Sequence, residues 1–204
     1  MVTTNNTVGS SSLSSRDREG LDFYQTPSYA TRTLLGRFDF GEGRLWEPMC
    51  GNGMIAAELK AAGHGVYCTD LVQREYPLDA TADFFDLAGP PGGEDFAVVT
   101  NPPYGRTDEF LAHALGVLRP RALCVFLPVR YLEGAKRWKT VYSRFRPSKV
   151  LVYSQRIGCF RQSDVDAGKV GPRGVASAVA YMWMCFRRGE WDRPGQQTAL
   201  DWIP

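Results

Sequence analysis

Asn101-Pro102-Pro103-Tyr104 sets an amide oxygen, a backbone carbonyl held by two prolines and an aromatic ring side by side. Two acceptors and a stacking face suit a planar substrate that carries an exocyclic amino group. The run follows Phe96-Ala97-Val98-Val99-Thr100, an apolar stretch that reads as a buried strand. Two consecutive prolines end a strand and fix the chain beyond it.

A second constellation lies upstream. Glu47-Pro48-Met49-Cys50-Gly51-Asn52-Gly53 separates a short strand from a helix. Gly51 and Gly53 allow a tight turn and close approach of backbone to a ligand. Asp70, about 20 residues on, stands where a strand-end acid can bind two ribose hydroxyls. The pattern E-P-x-x-G-x-G lacks the spacing of the dinucleotide phosphate fingerprint, and a turn led by an acid is poorly suited to a pyrophosphate. It suits a cationic ammonium, such as that of S-adenosyl-L-methionine. Asp83-Phe84 adds an acceptor for an adenine amino group and a ring to stack on it. Cys50 reads as a packing residue, since nothing near it in the sequence would activate a thiol.

These residues need a scaffold, and the chain alternates strand and helix to supply it. Thr26 reads as the cap and Pro27 as the first residue of a helix running to about Phe38. Strands are expected at Arg44–Trp46 and Val66–Thr69, a third ending near Phe84-Phe85, and others at Phe96–Thr100, Ala122–Leu127, Val150–Tyr153 and Ala176–Phe186. Helices fall at Met54–Ala62, from a Thr107 cap to Leu118, and from about Tyr131 to Phe145. Gly89–Gly93 is a loop. This is an α/β pattern: a doubly wound, Rossmann-like sheet of seven strands with helices on both faces. The last two strands have no helix between them and are expected to pair antiparallel at an edge. Residues 1–20 are expected to be a disordered tail, 21–188 the domain and 189–204 a C-terminal tail.

Hydrophobic content of 44% and charged content of 23% over 204 residues are ordinary for one soluble domain. Apolar runs are too short for a membrane span, and no signal-peptide pattern opens the chain. Five cysteines without C-x-x-C spacing and two histidines, His64 and His113, argue against a disulfide framework or a metal site and for a cytoplasmic setting. The net charge of +2 hides an asymmetry. Residues 119–173 hold 13 Lys or Arg against 3 acids. Such contrast suggests a polyanionic partner. Trp138, Tyr142 and Phe145 are expected as core contacts.

The order Tyr24-Gln25-Thr26-Pro27, the E-P-x-x-G-x-G turn, Asp70, Asp83-Phe84 and N-P-P-Y resembles the gamma-type S-adenosylmethionine-dependent DNA adenine-N6 methyltransferases, the class I methyltransferase fold, and most of all small orphan phage and prophage enzymes. The likeness covers roughly Asp22 to Phe186. It implies that Tyr24, Thr26, Pro27, Glu47 and Gly51 line the methionine end of the cofactor, Asp70 the ribose, and Asp83 with Phe84 the adenine, with Pro48, Gly53 and Asn101 also among the cofactor-binding residues. It implies a flipped-out adenine, its amino hydrogens on Asn101 and the Pro102 carbonyl, its ring on Tyr104, with Pro103 shaping the loop. No dedicated base is required, since the methylated nitrogen can lose its proton afterward. Larger members carry a recognition domain that this chain has no room for. Recognition then falls to Arg130, Lys136, Arg137, Lys139, Arg156, Arg161, Lys169 and Arg173, several on a glycine-bearing loop from Ser154 to Gly174. Double-stranded DNA in a bacterial or phage-infected cell is the implied partner. N-P-P-Y also occurs in RNA adenine-N6, guanine-N2 and release-factor glutamine methyltransferases. A nucleic-acid-binding module without turnover and, more weakly, a nicotinamide oxidoreductase remain as other classes.

Overall fold

The computed structural model describes residues 24–88 and 95–204. The expected N-terminal tail and the Gly89–Gly93 loop lie outside the described residues. Eight strands form one sheet: β1 (Leu45–Glu47), β2 (Val66–Asp70), β3 (Ala80–Thr81), β4 (Ala97–Thr100), β5 (Ala122–Pro128), β6 (Lys149–Tyr153), β7 (Tyr181–Arg187) and β8 (Ala199–Ile203). Their order is β3-β2-β1-β4-β5-β7-β6-β8. Only β7 runs against its neighbours; every other pair is parallel.

The helices are α1 (Ser28–Leu35), α2 (Met54–Ala61), α3 (Thr107–His113), α4 (Ala135–Arg137) and α5 (Gln162–Asp166). β4 and β5 are buried along their whole length, so both faces of the sheet are covered. Side chains alternate between two cores, as a period of two requires. Val98, Leu123, Val125 and Met184 join Phe110, Leu111 and Phe145 on one side. Ala97, Val99, Cys124, Phe126 and Trp183 join Leu34 of α1 and Leu59 of α2 on the other.

The doubly wound, mostly parallel sheet is the expected one, with four differences. β7 is inserted between β5 and β6, so the antiparallel pair is internal and not an edge hairpin. The edge is taken by β8, drawn from the expected tail, which pairs with β6 through five residues and raises the strand count to eight. The strand expected from Ala176 starts only at Tyr181. The basic helix is broken. Val129–Leu132 is a 3-10 turn, Gly134 takes φ 119°, and Trp138–Tyr142 winds as a π-helix. This leaves Tyr142 and Phe145 in the core but Trp138 52% exposed, with Arg146 over its ring. No helix among the described residues is long and apolar enough to cross a membrane.

Candidate active site

Parallel strands deliver their carboxyl ends to one edge of the sheet, where ligands of such folds bind. Here β1 ends at Glu47, β2 at Asp70, and β4 runs into Asn101. Between them lies a cavity of about 740 Å³. Of the expected cofactor and acceptor residues, Tyr24, Thr26, Glu47, Pro48, Gly51, Asp70, Asp83, Phe84, Asn101, Pro102, Pro103 and Tyr104 line it. Pro27 and Gly53 do not. Pro27 precedes α1 as its N-cap residue. Gly53 opens α2 at φ 74°, and a Cβ there would stand 2.0 Å from the Tyr76 ring. Its role is to let Tyr76 pack under the turn. Thr26 caps no helix; its Oγ1 accepts a hydrogen bond from Asn101 instead.

The turn is held by the acid of the next strand. Gly51 N donates to Asp70 Oδ2 at 2.8 Å, and Val72 N to Asp70 Oδ1 at 3.2 Å. Glu47 is 2% exposed, and its Oε2 has no hydrogen-bond partner among the described residues. Burial holds its carboxyl well above the usual carboxylate range, with the Cys68 thiol adding to the shift. The Cys50 thiol, hydrogen-bonded to Cys68 and buried, is pushed up, which suits packing rather than attack. Asp83 accepts from Phe85 N at 2.9 Å and so starts a 3-10 turn, Phe84–Asp86. Phe84 is 3% exposed and stacked on Phe110, at 4.6 Å between centroids. The more open ring at this end of the cavity is Phe85, which sequence reasoning passed over; Arg106 sits 3.7 Å above it.

At the acceptor end, the Asn101 amide is committed through its nitrogen. Nδ2 donates to Thr26 Oγ1 at 3.0 Å and Tyr24 O at 3.2 Å, and it approaches Cys159 Sγ at 3.7 Å. A backbone carbonyl can only accept, so Tyr24 O fixes the flip of the amide. Oδ1, closed to solvent, has no partner among the described residues. Tyr104 is held by Tyr131, whose hydroxyl donates to its carbonyl at 2.6 Å. The Tyr104 hydroxyl meets Cys159 Sγ at 3.4 Å, and burial raises its pKa well above that of a free phenol. Its ring lies 19° from parallel to Tyr24, with centroids 6.2 Å apart.

The expected basic contacts separate into two groups. Arg130, Lys136, Lys139, Arg156, Lys169 and Arg173 are exposed. Arg137 is engaged inside the fold, through Asp108 Oδ1 at 2.6 Å, the carbonyls of Tyr131 and Glu133, and the Tyr131 ring. Arg161 lies over the Tyr24 ring at 4.7 Å and donates to the Tyr24 hydroxyl. His113 bonds Leu87 O and packs on Phe84; His64 packs on Phe40.

No protein-family profile and no curated protein matches this sequence. Among solved structures, the fold is similar to a modification subunit assigned to a type I restriction enzyme from Vibrio vulnificus YJ016, with TM-score 0.50 and 14% identity. The match covers 89% of this chain and 48% of that one, so this chain spans about half the length of that protein.

Proposed function

We propose that the chain is an S-adenosylmethionine-dependent methyltransferase that acts on the N6 amino group of adenine in duplex DNA. The observation that carries this reading is the Asn101 amide. Its NH₂ is spent on Tyr24 and Thr26, so what it offers beside the cavity is a lone acceptor, Oδ1. An exocyclic amino group donates two hydrogens, and the following carbonyl, of Pro102, is a second acceptor in the same loop.

The cofactor's charge and shape fit the other residues of the cavity. A buried, orphaned carboxylate oxygen on Glu47 matches a cationic ammonium, since a buried charge needs a partner. Asp70 stands at the strand end suited to a ribose diol, and Asp83 with Phe84 and Phe85 at the end suited to a purine. When bound, S-adenosylmethionine supplies an electrophilic methyl group on a sulfonium. The chain's own part is positioning, which can supply much of an enzyme's acceleration. Asn101 and the Pro102 carbonyl would orient the amino nitrogen and increase its electron density, and the Tyr104 ring would cover one face of the base. A base in a duplex must leave the stack to reach such a site. Arg130, Lys136, Lys139, Arg156, Lys169 and Arg173 would meet phosphates, which positions a polymer without specifying its sequence. The likeness to a restriction-system modification subunit favours DNA as that polymer. The unit is proposed to extend from residue 21 to Ile203, because β8 completes its sheet.

The test is methyl transfer from labelled S-adenosylmethionine to duplex DNA, structured RNA and release-factor protein in parallel, with Asn101→Ala as control. N6-methyladenine in DNA, lost in the variant, is the expected result. Label in RNA or protein alone replaces the substrate. Cofactor binding without transfer to any of the three refutes the enzymatic reading.

A further inference from the structure

Residues 157–162 reach the acceptor end from far along the chain. Phe160 and Gln25 form an isolated antiparallel bridge, Gln25 N to Phe160 O at 2.8 Å and Phe160 N to Gln25 O at 3.1 Å. Gly158 and Gly174 make this approach possible. A Cβ on Gly174, at φ 85°, would lie 1.7 Å from Gly158 O, and one on Gly158 would lie 2.3 Å from Val175 O. Two closely apposed segments of backbone, bridged in parallel at Gly158 and Gly174, therefore hold Cys159 against Tyr24–Thr26 and the N-P-P-Y loop. Its sulfur touches both acceptor residues, Asn101 Nδ2 at 3.7 Å and the Tyr104 hydroxyl at 3.4 Å.

We propose that Cys159 is a positioning residue of the acceptor site: its sulfur restrains the Asn101 amide and the Tyr104 ring together, so that Oδ1 and the stacking face keep a fixed relation. This rests on the amino-methyltransferase reading of the same site. Tyr24 O and Thr26 Oγ1 fix which way the amide is flipped, and the Tyr24 ring lies beside that of Tyr104; Cys159 adds a single atom that meets both the amide and the phenol hydroxyl. Burial pushes the thiol up to about 11, so near neutral pH it stays protonated. Both amide hydrogens point to Tyr24 O and Thr26 Oγ1, so the sulfur meets Nδ2 as a close contact sharing one of them, while its S–H can donate to the phenol oxygen. A thiolate in the same place could only accept.

The test combines two readouts on Cys159→Ala and Cys159→Ser. The first needs no activity: the side-chain amide resonances of Asn101, assigned by their absence in Asn101→Ala. In Cys159→Ala these resonances should shift, and their exchange with solvent should quicken at least threefold at unchanged backbone spectra. The second is steady-state methyl transfer. Turnover should fall about tenfold, with the KM for S-adenosylmethionine within twofold of the parent. Cys159→Ser keeps a hydroxyl near Tyr104, though a shorter bond draws it back from Asn101, and it should fall between the two. Serine also serves if alanine fails to fold. Unmoved Asn101 resonances overturn the contact, and moved resonances with unchanged turnover overturn the positioning role. If the parent protein transfers no methyl group, the function reading fails, and the resonances still decide whether Cys159 holds Asn101.

Discussion

Glu47 gives a prediction whose size follows from burial. Its folded pKa lies above the ordinary 4.5 because burial disfavours the charged form. The folded state therefore binds this proton more tightly than the unfolded state. The stability it contributes is complete below pH 4.5 and is lost as pH rises through the folded value. Within that window each pH unit costs about 1.4 kcal/mol. A side-chain amide does not titrate, so in Glu47→Gln this loss disappears while all other titrations remain. For a chain of this size 1 kcal/mol moves Tm by roughly 2–4 °C. The Tm advantage of Glu47→Gln should therefore widen by about 3–5 °C per pH unit above pH 4.5, then level off once the carboxyl ionises. Thermal unfolding followed by circular dichroism from pH 4.5 to 8 measures it. Saturating S-adenosylmethionine should shrink or reverse the gap, because an ammonium beside Glu47 favours its charged form. A gap that stays flat across the pH range would refute the argument that burial dominates this carboxyl.

Arg137→Ala should cost about 1–3 kcal/mol in chemical denaturation, since it leaves Asp108 and two carbonyls without their charged donor. Lys136→Ala should leave stability within about 0.5 kcal/mol. It should also lower the slope of log affinity against log salt on duplex DNA by about 0.9, as expected for one lost phosphate contact. Gly174→Ala should destabilise by about 2–4 kcal/mol, because a Cβ meets a backbone carbonyl and the residue has positive φ; a melting curve unchanged from the parent would argue against the close approach to Gly158. Trp183→Phe should cost about 1 kcal/mol, for the bond from Nε1 to Ala30 O at 2.9 Å.

Features encoded by neighbouring residues were legible in the sequence. Glu47-Pro48, Gly51 and Gly53 announce a turn after a strand, and Asn101-Pro102-Pro103-Tyr104 announces another, because glycine and proline restrict the backbone locally. The parallel sheet follows from alternating apolar strands and helices. What stayed hidden depends on distant partners. Thr26 looks like a cap, yet its hydroxyl is taken by Asn101, 75 residues away. Arg137 looks like a surface cation until Asp108 is beside it. β8 is short, with Leu200 and Trp202 exposed, so its apolar residues do not trace a buried face. Its pairing with β6 is visible only in space. Cys159 carries no local signal at all. Its place at the site comes from the bridge between Gln25 and Phe160 and from the glycines that let two segments pair closely there.

That bridge also sets an order of assembly. Gln25 and Gln162, whose side chains meet across it, are 137 residues apart. Closing a free loop of that length costs about 4 kcal/mol beyond a constant, whereas the bridge's two backbone hydrogen bonds return about 1 kcal/mol each. The clamp cannot close an open chain. It forms after the sheet has brought β4, β5 and β7 together and removed most of that entropy. A nascent chain can therefore shape the glycine turn and the Asp70 contact long before its acceptor end exists. In the finished protein the clamp is an isolated bridge, whereas β5 is paired along both edges, so the clamp's backbone amides should exchange before those of β5.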